Sequence, residues 1–361
     1  MTSNTREQEV PIQPREESVT VLGRALTSVI SAGREILAKR RPFAETARGA
    51  TESLVALCTE LLDHRGEASG LALAQEITEA YKDLTSEQQL AFFKQLAEQF
   101  DTDRDAILEA ADRYRENSDL DHLLEITRTV EAPRQKLFRR INMAPDGTRT
   151  LVALRGDLLQ VLRANPELKA VDSDLKHLFI SWFNKGFLEL RSIDWSSPAN
   201  VLEKLSAYEA VHQINGWDDL RGRLREDRRC FAFFHPAMGN DPLVFVEVAL
   251  TDAIPGAIAP LLDQGRETIG ASQVNTVVFY SISNCHPGLA GISFGNFLIK
   301  NVVEVLNKEM EGLKTFVTLS PVPGFRRWLQ KADLDDLVAE KIRDKVRQPV
   351  GRVVEGEVQA A

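Results

Sequence analysis

The segment between residues 276 and 306 leaves this chain few possible folds. It begins with TVVFYSIS (276–283), a continuous apolar run typical of a strand buried on both faces. Gly288, Gly291 and Gly295 follow the run, and a helix then begins. The apolar stripe of that helix comprises Leu298, Val302, Val305 and Leu306. A strand, a glycine-containing loop and an amphipathic helix in succession predict a mixed α/β domain.

Three further strands are predicted around this segment. CFAFFHP (230–236) and PLVFVEVAL (242–250) flank the turn formers Gly239, Asn240 and Asp241, a pattern that predicts a hairpin. KTFVTLS (314–320) predicts a fourth strand after the helix. We therefore expect the C-terminal part of the chain, residues 193–361, to form one mixed α/β domain.

The N-terminal part, residues 1–192, shows helical periodicity and no strand alternation. Ser86 and Gln89 have the spacing of a capping box, and Pro198 is expected to open a further helix that runs to Ile214. The segments with helical spacing are 18–41, 85–100, 103–116, 119–130, 150–163 and 172–191. These patterns predict an N-terminal helical bundle that precedes the α/β domain.

Charge and cysteine content exclude several classes of protein. The 361 residues carry 44 Lys and Arg against 53 Asp and Glu, a net charge of −9 that disfavours a nucleic-acid partner. Cys58, Cys230 and Cys285 are too few and too scattered for a disulfide framework, which favours a reducing, cytoplasmic location. The apolar runs are shorter than the roughly 18 residues of a membrane span, so no membrane association is expected.

The glycine-containing loop is the strongest candidate for a binding site. Glycine lets a backbone approach a ligand closely, and the free N–H groups at a helix start bind anions such as pyrophosphate. The segment lacks the P-loop ending and the spacing of a dinucleotide-binding loop. From the residues alone, a plain strand-to-helix turn is an equally good interpretation.

Ser320 is the second candidate, in TLSPVPGF (318–325). Pro321 and Pro323 restrict the backbone on its C-terminal side and would hold its hydroxyl at a fixed position. The surrounding residues do not form a Gly-x-Ser-x-Gly nucleophile elbow. A simple turn at the end of a strand remains the alternative.

Longer strings in the same region resemble the malonyl-CoA decarboxylase family. They are FYSISNCHPGLAGISFGNFLIKNVVEVL and TFVTLSPVPGFRRWL, preceded by RRCFAFFHP and PLVFVEVALT. The resemblance covers about residues 195–328 and implies a helical oligomerisation domain joined to a GNAT-like catalytic domain. It implies conversion of malonyl-CoA into acetyl-CoA and carbon dioxide by a homo-oligomer, without a metal or prosthetic group.

The resemblance also implies roles for particular residues. Ser320 takes the position of the catalytic serine of the family. The malonyl-CoA-binding loop falls on Ala290, Gly291, Ile292, Ser293, Phe294, Gly295 and Asn296. The family also uses a histidine nearer its C-terminus, whereas the last histidine here is His286. We therefore expect a GNAT-like sheet that is incomplete at its C-terminus, and a chain that binds CoA but has little or no decarboxylase activity.

Several other residues have two interpretations. His286 and His235 could replace the missing acid, with His212 less suited, but each is also typical of a structural histidine. Lys300, Arg326 and Arg327 are candidates for the CoA phosphates. Glu247 fits an exposed strand face. The arginines that alternate with acidic residues fit a solvated, mixed-charge helix better than a phosphate site; they are Arg221, Arg223, Arg225, Arg228 and Arg229.

Three other functions stay open at this point. They are an inactive CoA-binding homologue, a GNAT-type acyltransferase and a purely structural helical assembly module. No group of Cys, His, Asp or Glu has the spacing of a metal site, so no metal is expected.

Overall fold

The computed structural model describes residues 21–40, 49–322 and 324–332. Two of the expectations above concern other residues. Pro323, expected to restrict the backbone after Ser320, lies outside the described residues. So does the tail from residue 333, which the sequence predicts to be a charged helix followed by coil.

Nine helices make up the described N-terminal part, which confirms the helical prediction. They are α1 (Val21–Arg40), α2 (Ala50–Asp63), α3 (Glu67–Lys82), α4 (Ser86–Glu98), α5 (Arg104–Glu116), α6 (Leu120–Thr129), α7 (Pro133–Asn142), α8 (Gly147–Leu162) and α9 (Lys169–Trp182). Leu54, Leu73, Phe92 and Phe138 lie in their buried core. Within the described part of the chain, no helix is both long and apolar enough to span a membrane.

The capping box of α4 lies one residue earlier than predicted. Thr85 Oγ1 accepts a hydrogen bond from Gln88 N (3.3 Å), and Thr85 N donates to Gln88 Oε1 (2.9 Å). The sequence contains two overlapping pairs with the correct spacing, Thr85 with Gln88 and Ser86 with Gln89. The pair that begins with threonine forms the box, so Ser86 is the first residue inside the helix.

Contacts between residues divide the chain into two compact units, and neither is a single stretch of sequence. The first contains the described residues up to Leu151 together with Gln160–Leu175. The second contains Val152–Leu159 together with the described residues from Lys176 onward. Helices α8 and α9 therefore each contribute residues to both units.

The second unit is built on a five-stranded sheet, which confirms the mixed α/β prediction. The strands are β1 (Glu189–Ile193), β2 (Arg228–Phe234), β3 (Val244–Thr251), β4 (Thr276–Asn284) and β5 (Thr315–Thr318). They lie in the order β1-β2-β3-β4-β5, antiparallel except for the parallel pair β4 and β5. The predicted hairpin is the β2–β3 pair. The helices are α10 (Ala199–Tyr208), α11 (Trp217–Arg223), α12 (Ala259–Leu262), α13 (Gly295–Glu309) and α14 (Phe325–Lys331).

Two sequence predictions about this unit are wrong. The helical segment predicted over 172–191 ends at Trp182, and strand β1 begins at Glu189. Only one of the five residues of β1 is buried and its apolar alternation is weak, so the strand could not be predicted. The helix that follows Pro198 ends at Tyr208 rather than Ile214. It ends there because the carboxylate of Glu209 accepts hydrogen bonds from the backbone N–H groups of Val211 (2.8 Å) and His212 (2.7 Å), which form a turn.

The sheet has an apolar core on each face. Helices α10 and α11 cover one face through Leu202, Leu205 and Leu220, which pack with Ala232 and Phe245. On the other face, Phe297 of α13 stacks on Phe233 with ring centroids 5.4 Å apart. Leu298, Val302 and Leu306 of the predicted stripe are buried, whereas Val305 is 38% exposed.

Candidate functional site

Strands β4 and β5 pair over only part of their length. The parallel pairing joins residues 276–279 to residues 315–318, and a last backbone hydrogen bond runs from Leu319 N to Phe279 O (2.8 Å). From Tyr280 to Asn284, β4 has no described strand partner on that edge. Carboxyl ends of parallel strands are where α/β sheets bind ligands. The unpaired edge of β4 is therefore a candidate site.

The predicted glycine loop follows this edge and is docked on helix α8. A Cβ atom built on Gly288 would lie 1.8 Å from the carbonyl oxygen of Val152, so only glycine fits there. The buried guanidinium of Arg155 donates from Nη1 to Gly288 O (2.6 Å) and to Ala290 O (2.9 Å). Gly288 thus serves the docking of the loop, and Arg155 fixes the direction of two of its carbonyl groups.

Gly291 turns the loop back toward α13. Its φ of +78° lies in the left-handed region that favours glycine. A Cβ atom built there would lie 3.1 Å from Nζ of Lys176, so this α9 side chain rests against the loop backbone. Neither Arg155 nor Lys176 could be predicted as part of the site, because no local pattern links these helical residues to a loop more than 100 positions away.

The other predicted loop residues differ in their surroundings. Phe294 is buried and packs edge-on against Phe183, with ring centroids 6.4 Å apart. A Cβ atom on Gly295 would meet only Cγ2 of Ile282, at 3.8 Å. Ala290, Ser293 and Asn296 are exposed, and Ile292 is half-buried. Phe294 therefore anchors the loop, while the exposed residues present its outer surface.

Ser320 lies at the carboxyl end of β5. It directly follows Leu319, the last residue whose backbone bonds to β4, and it is exposed. Its hydroxyl makes no hydrogen bond with a residue that the structure describes. Ser320 and the glycine loop thus follow the carboxyl ends of two neighbouring parallel strands.

The three histidines that were candidates for the catalytic acid contact residues other than Ser320. His286 Nε2 lies 3.8 Å from Asp241 Oδ1, and its ring is 5.7 Å from that of Tyr208. His235 Nδ1 accepts a hydrogen bond from Ala237 N (3.1 Å), and burial lowers its pKa. The ring of His212 lies 6.3 Å from that of Tyr280. No described contact joins any of them to Ser320.

A buried polar cluster lies behind the unpaired edge of β4. The register of β3 and β4 shifts so that Glu247 faces Ser281 and Val248 faces Phe279, which makes Tyr280 the extra residue of a bulge. The carboxylate of Glu209 accepts hydrogen bonds from Ser281 Oγ (2.7 Å) and Ser283 Oγ (3.1 Å). Glu209 therefore holds the part of β4 that β5 does not pair.

Glu247 is the centre of this cluster, and the prediction that it lies on an exposed face is wrong. It is fully buried, and its Oε2 accepts a hydrogen bond from Arg223 Nη1 (2.8 Å). Burial raises its pKa to about 7, although Arg223 opposes the shift, and the nearby carboxylate of Glu209 raises it further. Arg223 is also bound to Asp219 at 3.1 Å.

The arginines between 221 and 229 form no single helix face. Arg223 and Arg228 are buried, so the prediction of a solvated helix is wrong for both. Arg228 Nη2 donates to Leu261 O (2.7 Å). Arg221, Arg225 and Arg229 contact Asp218 Oδ1 (3.7 Å), Gln264 O (3.1 Å) and Glu309 Oε1 (3.0 Å), respectively. Lys300 and Arg327 are exposed, and the side chain of Arg326 lies outside the described part.

Sequence profiles of two domains match the chain. The profile described as "Malonyl-CoA decarboxylase N-terminal domain" matches residues 100–183. The profile described as "Malonyl-CoA decarboxylase C-terminal domain" matches residues 186–350. The second match contains all five strands, the glycine loop and Ser320.

Two bacterial crystal structures of malonyl-CoA decarboxylases resemble the chain throughout most of its length. The protein from Rhodopseudomonas palustris is 48% identical with a TM-score of 0.77, and the match covers 87% of this chain and 77% of that one. The protein from Agrobacterium vitis is 49% identical with a TM-score of 0.76, covering 82% and 73%.

Curated animal relatives are similar over a shorter part. The goose (Anser anser anser) and rat (Rattus norvegicus) proteins, both named "Malonyl-CoA decarboxylase, mitochondrial", are each 39% identical over 230 residues. These matches cover 62% of this chain, and 46% of the goose and 47% of the rat protein. The chain spans about half the length of the curated relatives it matches.

Proposed function

Because the chain belongs to the malonyl-CoA decarboxylase family, we propose that its second unit converts malonyl-CoA into acetyl-CoA and carbon dioxide. The observation that carries this proposal is the glycine loop held by Arg155 beside the unpaired edge of β4. The acyl chain of the thioester would lie along that edge, and the loop would receive the pyrophosphate. In this proposal the loop residues 290–296 bind the substrate and Ser320 is the catalytic residue.

The proposed reaction breaks the bond between the carboxylate carbon and the α-carbon of the malonyl group. Carbon dioxide leaves, and the bonding electron pair moves into the thioester to give an enolate. One proton, taken up from water, then adds to the α-carbon and completes acetyl-CoA. The hydroxyl of Ser320 would donate a hydrogen bond to the enolate oxygen and so stabilise the charge that develops in the transition state.

The thioester carbonyl itself accepts the electron pair, so the proposed reaction requires no metal or prosthetic group. That the reaction needs no metal or prosthetic group was expected from the sequence and stays a prediction. Turnover of malonyl-CoA should be the same before and after dialysis against a chelator.

Ser320→Ala tests the catalytic assignment. Removing one donor to a developing oxyanion commonly lowers the rate by about 100-fold or more. We expect that loss in kcat, measured by mass spectrometry of acetyl-CoA, with CoA affinity nearly unchanged. Ser173→Ala removes an exposed hydroxyl from α9 and is the matched control. An unchanged rate in Ser320→Ala would remove this serine from the mechanism.

The wild-type chain distinguishes the alternatives in the same assay. CoA binding without release of carbon dioxide would favour the inactive homologue. Transfer of the acyl group to an added amine would favour a GNAT-type acyltransferase. A chain that binds no CoA would leave only a structural role.

We further propose self-assembly through the helical unit and a reducing, cytoplasmic environment. Exposed apolar side chains on α5 and α6, among them Leu108 and Leu120, support the first of these. The second is supported by Cys58, Cys230 and Cys285, which are buried free thiols whose pKa values burial raises.

A further inference from the structure

Lys176 occupies an unusual place for a lysine of an acidic protein. Its Nζ lies so close to Gly291 that a Cβ atom on that glycine would be 3.1 Å away. The side chain is half-buried, and it forms no salt bridge with any residue that the structure describes. Removing part of the water around an ammonium group without supplying a counter-ion costs free energy. The position of Lys176 therefore needs a physical reason.

The loop itself does not supply a partner for this charge. The carbonyl groups of Gly288 and Ala290 accept hydrogen bonds from Arg155. Residues 284–300 contain no aspartate or glutamate, and the only charged side chain in that range is Lys300. The surroundings of Lys176 on the loop are therefore neutral or positive, which suits an anion from outside the protein.

The backbone N–H groups near Lys176 divide into two sets. Those of Leu289, Ala290 and Ile292 donate within the turn, each at 3.0 Å. The first N–H groups of α13, from Gly295 onward, have no acceptor within their own helix. Lys176 of α9 thus lies against a loop that leads directly into a group of N–H donors able to bind an anion.

We propose that Lys176 is the side chain that pairs with the pyrophosphate of a CoA ligand. The inference rests on the proposed function, because it assigns the loop to a CoA thioester. Its ammonium would neutralise one phosphate while the first N–H groups of α13 bind the other oxygens. Arg155 donates hydrogen bonds to the carbonyl groups of Gly288 and Ala290, so in this proposal Arg155 is a positioning residue and Lys176 contacts the ligand.

Two nearby lysines are weaker candidates for this role. Nζ of Lys185 lies 5.0 Å from the ring centroid of Phe297, a cation–π contact that already compensates part of its charge. Lys300 is exposed on α13, where water can solvate its charge. Of the three, Lys176 is the one whose Nζ lies beside Gly291, and it is half-buried without a compensating contact among the described residues.

The experiment compares Lys176→Met with Lys176→Arg in the full chain, by calorimetric titration with three ligands. CoA contains the pyrophosphate and a 3′-phosphate, dephospho-CoA lacks the 3′-phosphate, and pantetheine lacks all phosphates. Lys308→Met, which removes an exposed lysine from the last turn of α13, is the control for net charge.

We expect Lys176→Met to weaken the binding of CoA and dephospho-CoA about tenfold, the usual size of a charge-assisted hydrogen bond. Pantetheine binding should stay unchanged, which also shows that the site is folded. Lys176→Arg and Lys308→Met should stay within about threefold of the wild type.

Three results would overturn the assignment. Equal loss for pantetheine would make Lys176 a structural residue, and a loss confined to CoA would place it on the 3′-phosphate instead. Unchanged affinity for all three ligands would show that it contacts none of them. If the wild type binds no CoA at all, the proposed function itself fails, and this result is distinct from the other three.

Discussion

At the scale of single residues, Glu247 shows how burial can dominate a strong ion pair. Arg223 lies 2.8 Å from its carboxylate and favours the ionised form, yet burial and the carboxylate of Glu209 favour the protonated form more. The resulting pKa of about 7 is well above the usual 4.5. The folded protein therefore keeps a proton on Glu247 over a pH range in which the unfolded chain has lost it.

This difference predicts a pH dependence of stability. Between about pH 4.5 and about pH 7 the folded state binds more protons at Glu247 than the unfolded state, so the free energy of unfolding should decrease as the pH rises. The contribution is on the order of 3 kcal/mol. In Glu247→Gln, urea unfolding between about pH 5 and about pH 7.5 should lose this part of the slope.

Glu203→Gln is the matched control for that measurement. Glu203 is exposed on α10, so its substitution should leave the pH dependence of the wild type in place. If the free energy of unfolding depends on pH equally in Glu247→Gln and in the wild type, the pKa of Glu247 is not raised in the folded protein.

At the scale of elements, the contact between the glycine loop and α8 separates the roles of two glycines. Gly288→Ala should destabilise the second unit by about 2 kcal/mol or more, because the new Cβ would lie 1.8 Å from Val152 O and the backbone has to move. Gly295→Ala should leave stability unchanged, since the new Cβ would lie 3.8 Å from the nearest atom, Cγ2 of Ile282. Thermal unfolding of both variants measures the difference.

CoA titration of the same two variants completes this prediction. Gly295→Ala should fold like the wild type but bind CoA more weakly if the ligand approaches the start of α13 closely. Normal CoA affinity in Gly295→Ala would show that this glycine serves only the turn. Equal thermal stability of Gly288→Ala and the wild type would mean that the loop is not docked on Val152.

Local patterns predicted the elements of the site, but not the contacts that hold them. The strand, the glycines and the helix between 276 and 306 follow one another in the sequence, so their types and order could be predicted from it. The burial of Glu247 depends on Arg223, which lies 24 positions earlier. The docking of Gly288 depends on Arg155, which is 133 positions away. Such pairs come together only after folding, and one sequence contains no local sign of them.

At the scale of the whole molecule, we predict that copies of the chain associate through the helical unit. Leu120 and Leu124 lie one turn apart on α6 and are 66% and 40% exposed. Leu120→Asp combined with Leu124→Asp should reduce the mass measured by light scattering, because charges would replace apolar contacts between copies. Ser53→Asp, which adds a charge at an exposed position of α2, should not change it. A wild type that is already monomeric would contradict the prediction.

The two-segment composition of the second unit also has a consequence for recombination between relatives. A crossover between positions 177 and 284 would take the glycine loop from one parent, and Val152, Arg155 and Lys176 from the other. A crossover before Val152 would inherit loop and supporting helices together. In chimeras of the first kind, the contact between Gly288 and Val152 and the two hydrogen bonds of Arg155 would join residues from different parents. Those residues have not evolved together. The position of the crossover, more than the overall identity of the parents, should decide which chimeras still bind their ligand.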